Sequence, residues 1–396
     1  MSRYSRRSDP ALRPKQRVEL TTGKIALRLM VVGIAILVAS LAFGAVVNNL
    51  VSTQTGWQQV EAANPETGIA QDFILCYNIG QTEAAAGTEL KALSSHYSRR
   101  LDNDYRELSN VPMENIVNLH TLNSRPNTAV AVDPLLYAAF QTLEASGSRL
   151  VYFAPMLEQY RSLYACEYDQ EAEKFDPERS EELARFAGEI ARFARDPEAV
   201  QVKLLPENTL RLEVSPEYLD YAGENELESF VDLGLLLNAF LCDAVAEGLT
   251  ELGYVNGYVT SFDGFTRTMC AEEFGLSVYD LKEGEALLLD TALYDGPCTL
   301  VSCRSFPVLD KDAVNYYRYA DGTVLGPYLN EQGLLHAACA SLYTLSRELT
   351  TAQLAIRTLE AYAQEDASFP SLEEISWVSG ENGQATYHGT DFRPAE

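Results

Sequence analysis

The chain has 396 residues, 46% of them hydrophobic and 10% aromatic, enough to bury a large core and too apolar for disorder over most of its length. Fifty-seven acids against 30 bases give a net charge of −27. Eight bases and two acids lie before Val51, so that end carries +6 and the remainder −33. A body this acidic repels phosphate backbones, which excludes nucleic acid as a partner.

In chain order, residues 29–47 come first, an uncharged run long enough to span a membrane as a helix. The bases before it place residues 1–28 in the cytoplasm and the body outside the cell membrane. An uncleaved anchor over 29–50 is one reading, and a signal peptide cut near Ala42-Phe43-Gly44 is the other. A polar linker, 51–71, leads to a body over 72–365 and a loosely patterned tail over 366–396.

Within the body, 73–79 reads as a strand and 89–108 as a helix. Asp133-Pro134 opens a helix that stops at Gly147, and 178–195 is an amphipathic helix with Leu183, Phe186, Ile190 and Phe193 on one stripe. Hairpins are predicted at 200–205 with 210–214, at 257–262 with 265–269 around Asp263-Gly264, and at 316–319 with 323–325 around Asp321-Gly322. Long helices are predicted over 228–252 and 342–363. Long helices alternating with hairpins predict an α+β domain with mixed or antiparallel sheets.

Seven cysteines, an odd number without a CxxC pair, predict neither a disulfide framework nor a zinc site. Cys298 and Cys303 are near enough in sequence for a disulfide or for two free thiols on one strand. The four histidines show no metal-ligand spacing. No GxSxG, Walker or HExxH motif is present.

The segment VDLGLLLNAFLCDAVAEGLTELGYVNGYVTSFDG, residues 231–264, resembles the DLGGIAKGYAVD helix and following strand of the FAD:protein FMN transferases, the ApbE family. Asp232, Leu233, Gly234 and Asp243 match that pattern. Upstream, residues 114–147 are similar to the family's Ser/Asn-rich run and helix. Downstream, YYRYADGTVLGP is similar to the segment HI-DP-TG-P, and SRELTTAQL (346–354) to ADALSTAL. The resemblance implies an ApbE-like fold. It implies FAD as cofactor, Mg2+ as metal, and transfer of FMN to a Ser or Thr of a partner flavoprotein.

The departures bear on the chemistry, which needs a hard-oxygen metal site and charge on the pyrophosphate. Asn238 stands at the family's lysine, Ala239 at its glycine, and Ser261-Phe262-Asp263-Gly264 at its double glycine. Val151 stands at an aspartate, Arg318 at a histidine and Arg347 at the metal aspartate, while Thr351 matches a metal-site threonine. The implied cofactor-binding set is Asp232, Gly234, Asn238, Asp263 and Gly264, with Thr351 for metal and no catalytic residue. Each has a plainer reading: Asp232 as a helix cap, Gly234 as a packing glycine, Asp263-Gly264 as a turn. Arg347 either replaces the metal's charge or sits on the exposed face of the last helix. Three functions result: a membrane-anchored ApbE-like pseudoenzyme that holds flavin, a related ligand or a protein partner; an active Mg2+-dependent transferase; or an envelope-complex scaffold without ligand.

Overall fold

The computed structural model describes residues 54–309, 312–364 and 367–395. The predicted anchor and the basic segment before it lie outside these residues. Among the described residues no helix is long and apolar enough to cross a membrane.

Strands β1 (Gly56–Val60) and β2 (Phe73–Ile79) pair antiparallel, Gln59 opposite Cys76. β2 alternates buried Phe73, Leu75, Tyr77 and Ile79 with half-buried residues, the period of a strand with one face on a core. Helices α1 (Ala86–Leu108) and α2 (Leu119–Asn123), strand β3 (Ala129–Ala131) and helix α3 (Pro134–Ser146) follow. α3 has the predicted limits. The Asp133 carboxylate accepts from the Leu135 N–H at 3.2 Å, Pro134 takes the first turn, and Gly147 ends the helix at φ +70°.

Next come α4 (Ala154–Tyr164) and the amphipathic α5 (Glu181–Arg195), which buries Leu183, Ile190 and Phe193. β4 (Val200–Leu205) and β5 (Thr209–Val214) form the predicted hairpin, and β3 pairs with the free edge of β5. α6 (Pro216–Glu224) leads to α7 (Leu237–Glu251). The helix expected over 228–252 therefore starts late. The Asn123 side chain takes the Phe230 and Val231 N–H groups and donates to the Val231 carbonyl. Those bonds hold the chain extended where apolar spacing alone suggests helix.

β6 (Gly257–Ser261) and β7 (Phe265–Thr268) turn at Asp263-Gly264 as predicted. β8 (Glu273–Lys282) and β9 (Glu285–Asp295) make a long hairpin, followed by β10 (Cys298–Arg304) and the small ribbon of β11 (Tyr317–Arg318) and β12 (Val324–Leu325). β13 (Ser341–Ser346), α8 (Thr351–Tyr362), β14 (Ser376–Glu381), β15 (Gln384–His388) and β16 (Arg393–Pro394) complete the chain. The helix expected over 342–363 is thus a strand and then a helix. Every residue from Ser341 to Leu345 is buried, so the strand lacks the alternation that separates strand from helix. The capping box of Thr350 with Gln353 marks where the helix begins.

Eight strands form one antiparallel sheet in the order β1-β2-β6-β7-β10-β13-β14-β15, with β3-β5-β4 and β16-β9-β8 as separate three-stranded sheets. The main sheet runs past both limits read from sequence, since β1 falls within the predicted linker and β14 and β15 within the predicted tail. One of its faces packs on α1, α7 and α8 through Tyr77, Tyr97, Leu241, Val245 and Ile356. The other, at the β10-β13-β14 end, lies under the β8–β9 hairpin through Val278, Tyr294, Leu300 and Leu345. Cys298 belongs to the hairpin-side core and Cys303 to the helix-side core. Their odd spacing puts them on opposite faces of β10, and both thiols are free.

Candidate functional site

A cleft of about 130 Å³ opens where α4 faces the turn before α7 and the β6–β7 turn. Apolar and aromatic groups line most of it, among them Leu157, Tyr160, Tyr164, Phe265 and Tyr328, and Arg161, Gly234 and Asp263 supply polarity. The tyrosines are fixed by their hydroxyls. Tyr160 donates to the Gly333 carbonyl at 2.8 Å, Tyr164 to that of Gly326 at 2.9 Å, and Tyr328 accepts from the Arg304 N–H at 2.9 Å.

Two polar clusters meet at the cleft. In the first, Asp232 accepts from the Gly234 N–H at 2.7 Å and from Arg161 Nη2 at 2.7 Å. Asp232 is buried, whereas the Arg161 side chain is 55% exposed at the mouth. A methyl group on Gly234 would stand 2.6 Å from Arg161 Nη2, so the glycine makes room for this ion pair. Asp232 therefore holds a turn and an arginine, while α7 starts later and has no side-chain cap. In the second cluster Asn238 Nδ2 donates to Asp263 Oδ2 at 3.0 Å, and Ser261 Oγ donates to Asp263 Oδ1. Burial pushes the Asp263 carboxyl up to about 6, against the lowering effect of the Ser261 and Asn238 bonds. Gly264 behind it has φ +101°, and any Cβ would meet the Ser302 carbonyl at 2.2 Å.

Thr351 is not part of this lining. It opens α8, where Asp243 accepts from the Thr351 and Ala352 N–H groups at 2.7 and 2.9 Å. Arg347 lies in the loop before α8 rather than on its exposed face, and its Nε donates to Asp391 Oδ1 at 2.8 Å. Val151 is buried and gives its carbonyl to the Asp232 N–H. Arg318 is on the β11–β12 ribbon, outside the cleft lining.

The architecture matches solved structures at low identity. The ApbE protein of Thermotoga maritima MSB8 matches with a TM-score of 0.52 and 13% identity, over 87% of this chain and 97% of its own. The flavinyl transferase ApbE of Pseudomonas stutzeri in its apo form gives 0.53 and 10%, over 85% and 94%. The flavin transferase ApbE of Vibrio cholerae gives 0.52 and 13%, over 84% and 98%. No family model matches the chain, and no curated protein matches it by sequence. The fold is ApbE-like.

An ApbE-like fold raises the question of whether these residues fit a dinucleotide and a divalent metal, and as arranged they do not. The start of α7 is closed as an anion site, because the Leu236 and Leu237 N–H groups are taken by the Leu233 carbonyl at 2.7 and 2.6 Å. The start of α8 already holds an anion, the Asp243 carboxylate. Asn238 brings no charge, and beside it Asp263 would repel a phosphate. No cluster of three or more His, Cys, Asp or Glu suited to a metal occurs among the described residues. The volume is below the roughly 300–1,000 Å³ of drug-sized ligand sites, leaving space for a ring but not a dinucleotide.

Of the residues singled out from sequence, the structure joins Asp232 with Gly234, and Asn238 with Asp263, at one cleft; Gly264 shapes its turn, and Thr351 stands apart. Arg161 and the three tyrosines escape sequence reasoning, and Ser261 enters it only as part of the run that replaces the double glycine. α4 carries no motif, and only the fold brings it to the 231–264 segment.

Proposed function

We propose that this chain is an ApbE-like pseudoenzyme. A membrane anchor would hold it on the outer side of the cell membrane, and its cleft would take a planar, uncharged ring such as that of a flavin without transferring FMN. One observation carries the reading: the positions that would handle charge are spent internally. Asp232 is bound to Arg161, Asn238 to Asp263, and Asp243 to the start of α8. Removing a single preorganised stabiliser of a transition state costs about 3–4 kcal/mol, so several such commitments together argue against turnover.

Titrating the purified protein with riboflavin for binding, and separately with FAD with and without Mg2+ for AMP release, tests this directly. Riboflavin binding without AMP release from FAD is expected, and Mg2+-dependent AMP release would overturn the proposal. An active transferase has one observation in its favour. Asn238 Oδ1 and Thr351 Oγ1 are buried without a hydrogen-bond partner among the described residues, two oxygens unspent by the fold. Loss of AMP release in Thr351→Val would support that second reading.

A further inference from the structure

The main sheet leaves part of its second face uncovered. The β8–β9 hairpin shields that face at the β10-β13-β14 end, but at the β1-β2-β6 end Gln59, Cys76 and Tyr258 lie in a row across paired strands. Trp57, two residues along β1, shares their face. Phe274, from the start of β8, closes one side. These residues, with Gln58, Glu272 and Glu273, line a notch of about 350 Å³. It lies across the sheet from the helix-side core.

The rings in the notch form a corner. Trp57 and Tyr258 lie 6.0 Å apart and tilted by 40°, making one wall. Phe274 stands nearly perpendicular to both, at 79° to Trp57 and 82° to Tyr258, with centroids 6.3 and 5.5 Å away. Stacking on Tyr294 at 5.6 Å fixes Phe274 from behind. Trp57 stays 42% exposed beside the notch.

Charge selects the ligand. No lining residue is basic. Arg393 pairs with Glu273 and Asp295, and Glu272 in the lining adds a further carboxylate, so these four side chains carry a net charge of −2. Ring faces attract a cation through their quadrupole, and a bulky, weakly hydrated cation loses little on leaving water. A metal ion has no such advantage here, because the notch offers it few hard oxygen ligands. We propose that this corner binds a trimethylammonium group, free as in choline or carried on a lipid headgroup, against the faces of Trp57 and Tyr258 with Glu272 as counter-ion.

The test uses the full chain at constant ionic strength and intrinsic fluorescence. The chain has two tryptophans, and Trp377 is 8% exposed and stacked on His388, so the solvent-sensitive signal is that of Trp57. Tetramethylammonium and choline should quench it saturably, and the neutral isostere 3,3-dimethylbutan-1-ol should not. Ligand-observed NMR of the choline N-methyl protons gives a second readout that does not depend on the indole. By it Trp57→Ala should weaken binding about tenfold and Glu272→Gln about threefold. Dihexanoyl phosphatidylcholine below its micellar concentration separates the sources: tighter binding than choline assigns a lipid headgroup, equal binding a free ligand, and both support the site. No saturable response to either cation, or an equal response to the neutral isostere, overturns the proposal.

Discussion

Two glycines at the site make opposite demands on their neighbours. The atom nearest a Cβ on Gly234 is the end of the flexible Arg161 side chain, and the φ of this residue is not positive. Gly234→Ala should therefore push Arg161 off Asp232 and cost about 1 kcal/mol or less in urea unfolding, since one partner of the ion pair is half exposed. At Gly264 the obstacle is backbone, the Ser302 carbonyl at 2.2 Å, and φ is +101°. Gly264→Ala should cost about 3 kcal/mol or more by the same measurement; equal costs for the two variants would refute this account. Asp263 makes a pH-dependent demand. Its folded carboxyl is raised to about 6 by burial, above its unfolded value, so the native state holds the proton more tightly. Its charge thus costs stability above pH 6, and the cost disappears as pH falls toward 4. Asp263→Asn should be about 1–2 kcal/mol more stable than the parent at pH 7 and no better at pH 4, by urea unfolding at both. Asp232, Gly234, Asn238 and Asp263 are legible as a group only through the resemblance of residues 231–264 to the transferase pattern. Arg161, remote in the chain, is not, for no local pattern says which side chain folding will place beside Asp232.

At the scale of the element, Asp243 lies where the transferase pattern places it, yet its bonds go to α8. Its carboxylate accepts both the Thr351 and Ala352 N–H groups, and the Thr350 hydroxyl takes that of Gln353. Capping and helix-dipole contributions add at such a helix start, so Asp243→Ala should destabilise by about 2 kcal/mol and Thr350→Ala by about 1. Chemical denaturation checks both, and an Asp243→Ala variant as stable as the parent would return that carboxylate to a functional role. The elements that sequence reasoning located were those with their own punctuation. α3 has Asp133-Pro134 and Gly147, and the β4–β5 and β6–β7 hairpins have their turn residues. Where tertiary bonds decide, local pattern failed. Asn123 keeps residues 230 and 231 out of α7, and burial on both faces hides β13 inside an apolar run. β14 and β15 are hidden for a related reason, as β14 depends on pairing with β13 and β15 on pairing with β14.

The whole molecule combines a net charge of −27 with several carboxyls that burial holds protonated above their ordinary range. Glu107 is raised to about 8 by burial and by a hydrogen bond with Asp133, and Asp104 to about 6 by burial against the lowering effect of Arg100. With Asp263, these groups bind more protons in the folded state than in the unfolded one between about pH 4 and 8. Stability should therefore rise as pH is lowered from 8 toward 5, the reverse of a protein whose carboxylates are mostly paired. The trend has a floor. Arg179 holds Asp321 down to about 2, so that contribution is present above about pH 4 and is lost as pH falls through 2. Repulsion among the acids acts in the same direction as the buried carboxyls above pH 5, and salt screens it. Melting curves at pH 5, 6.5 and 8, each at 50 mM and 500 mM salt, separate the two effects. The melting temperature should fall with pH at both salt concentrations, and salt should raise it most at pH 8. Glu107→Gln should flatten the drop between pH 6.5 and 8 and leave the salt response intact. A melting temperature that climbs toward pH 8 would mean that these carboxyls find cationic partners in solution.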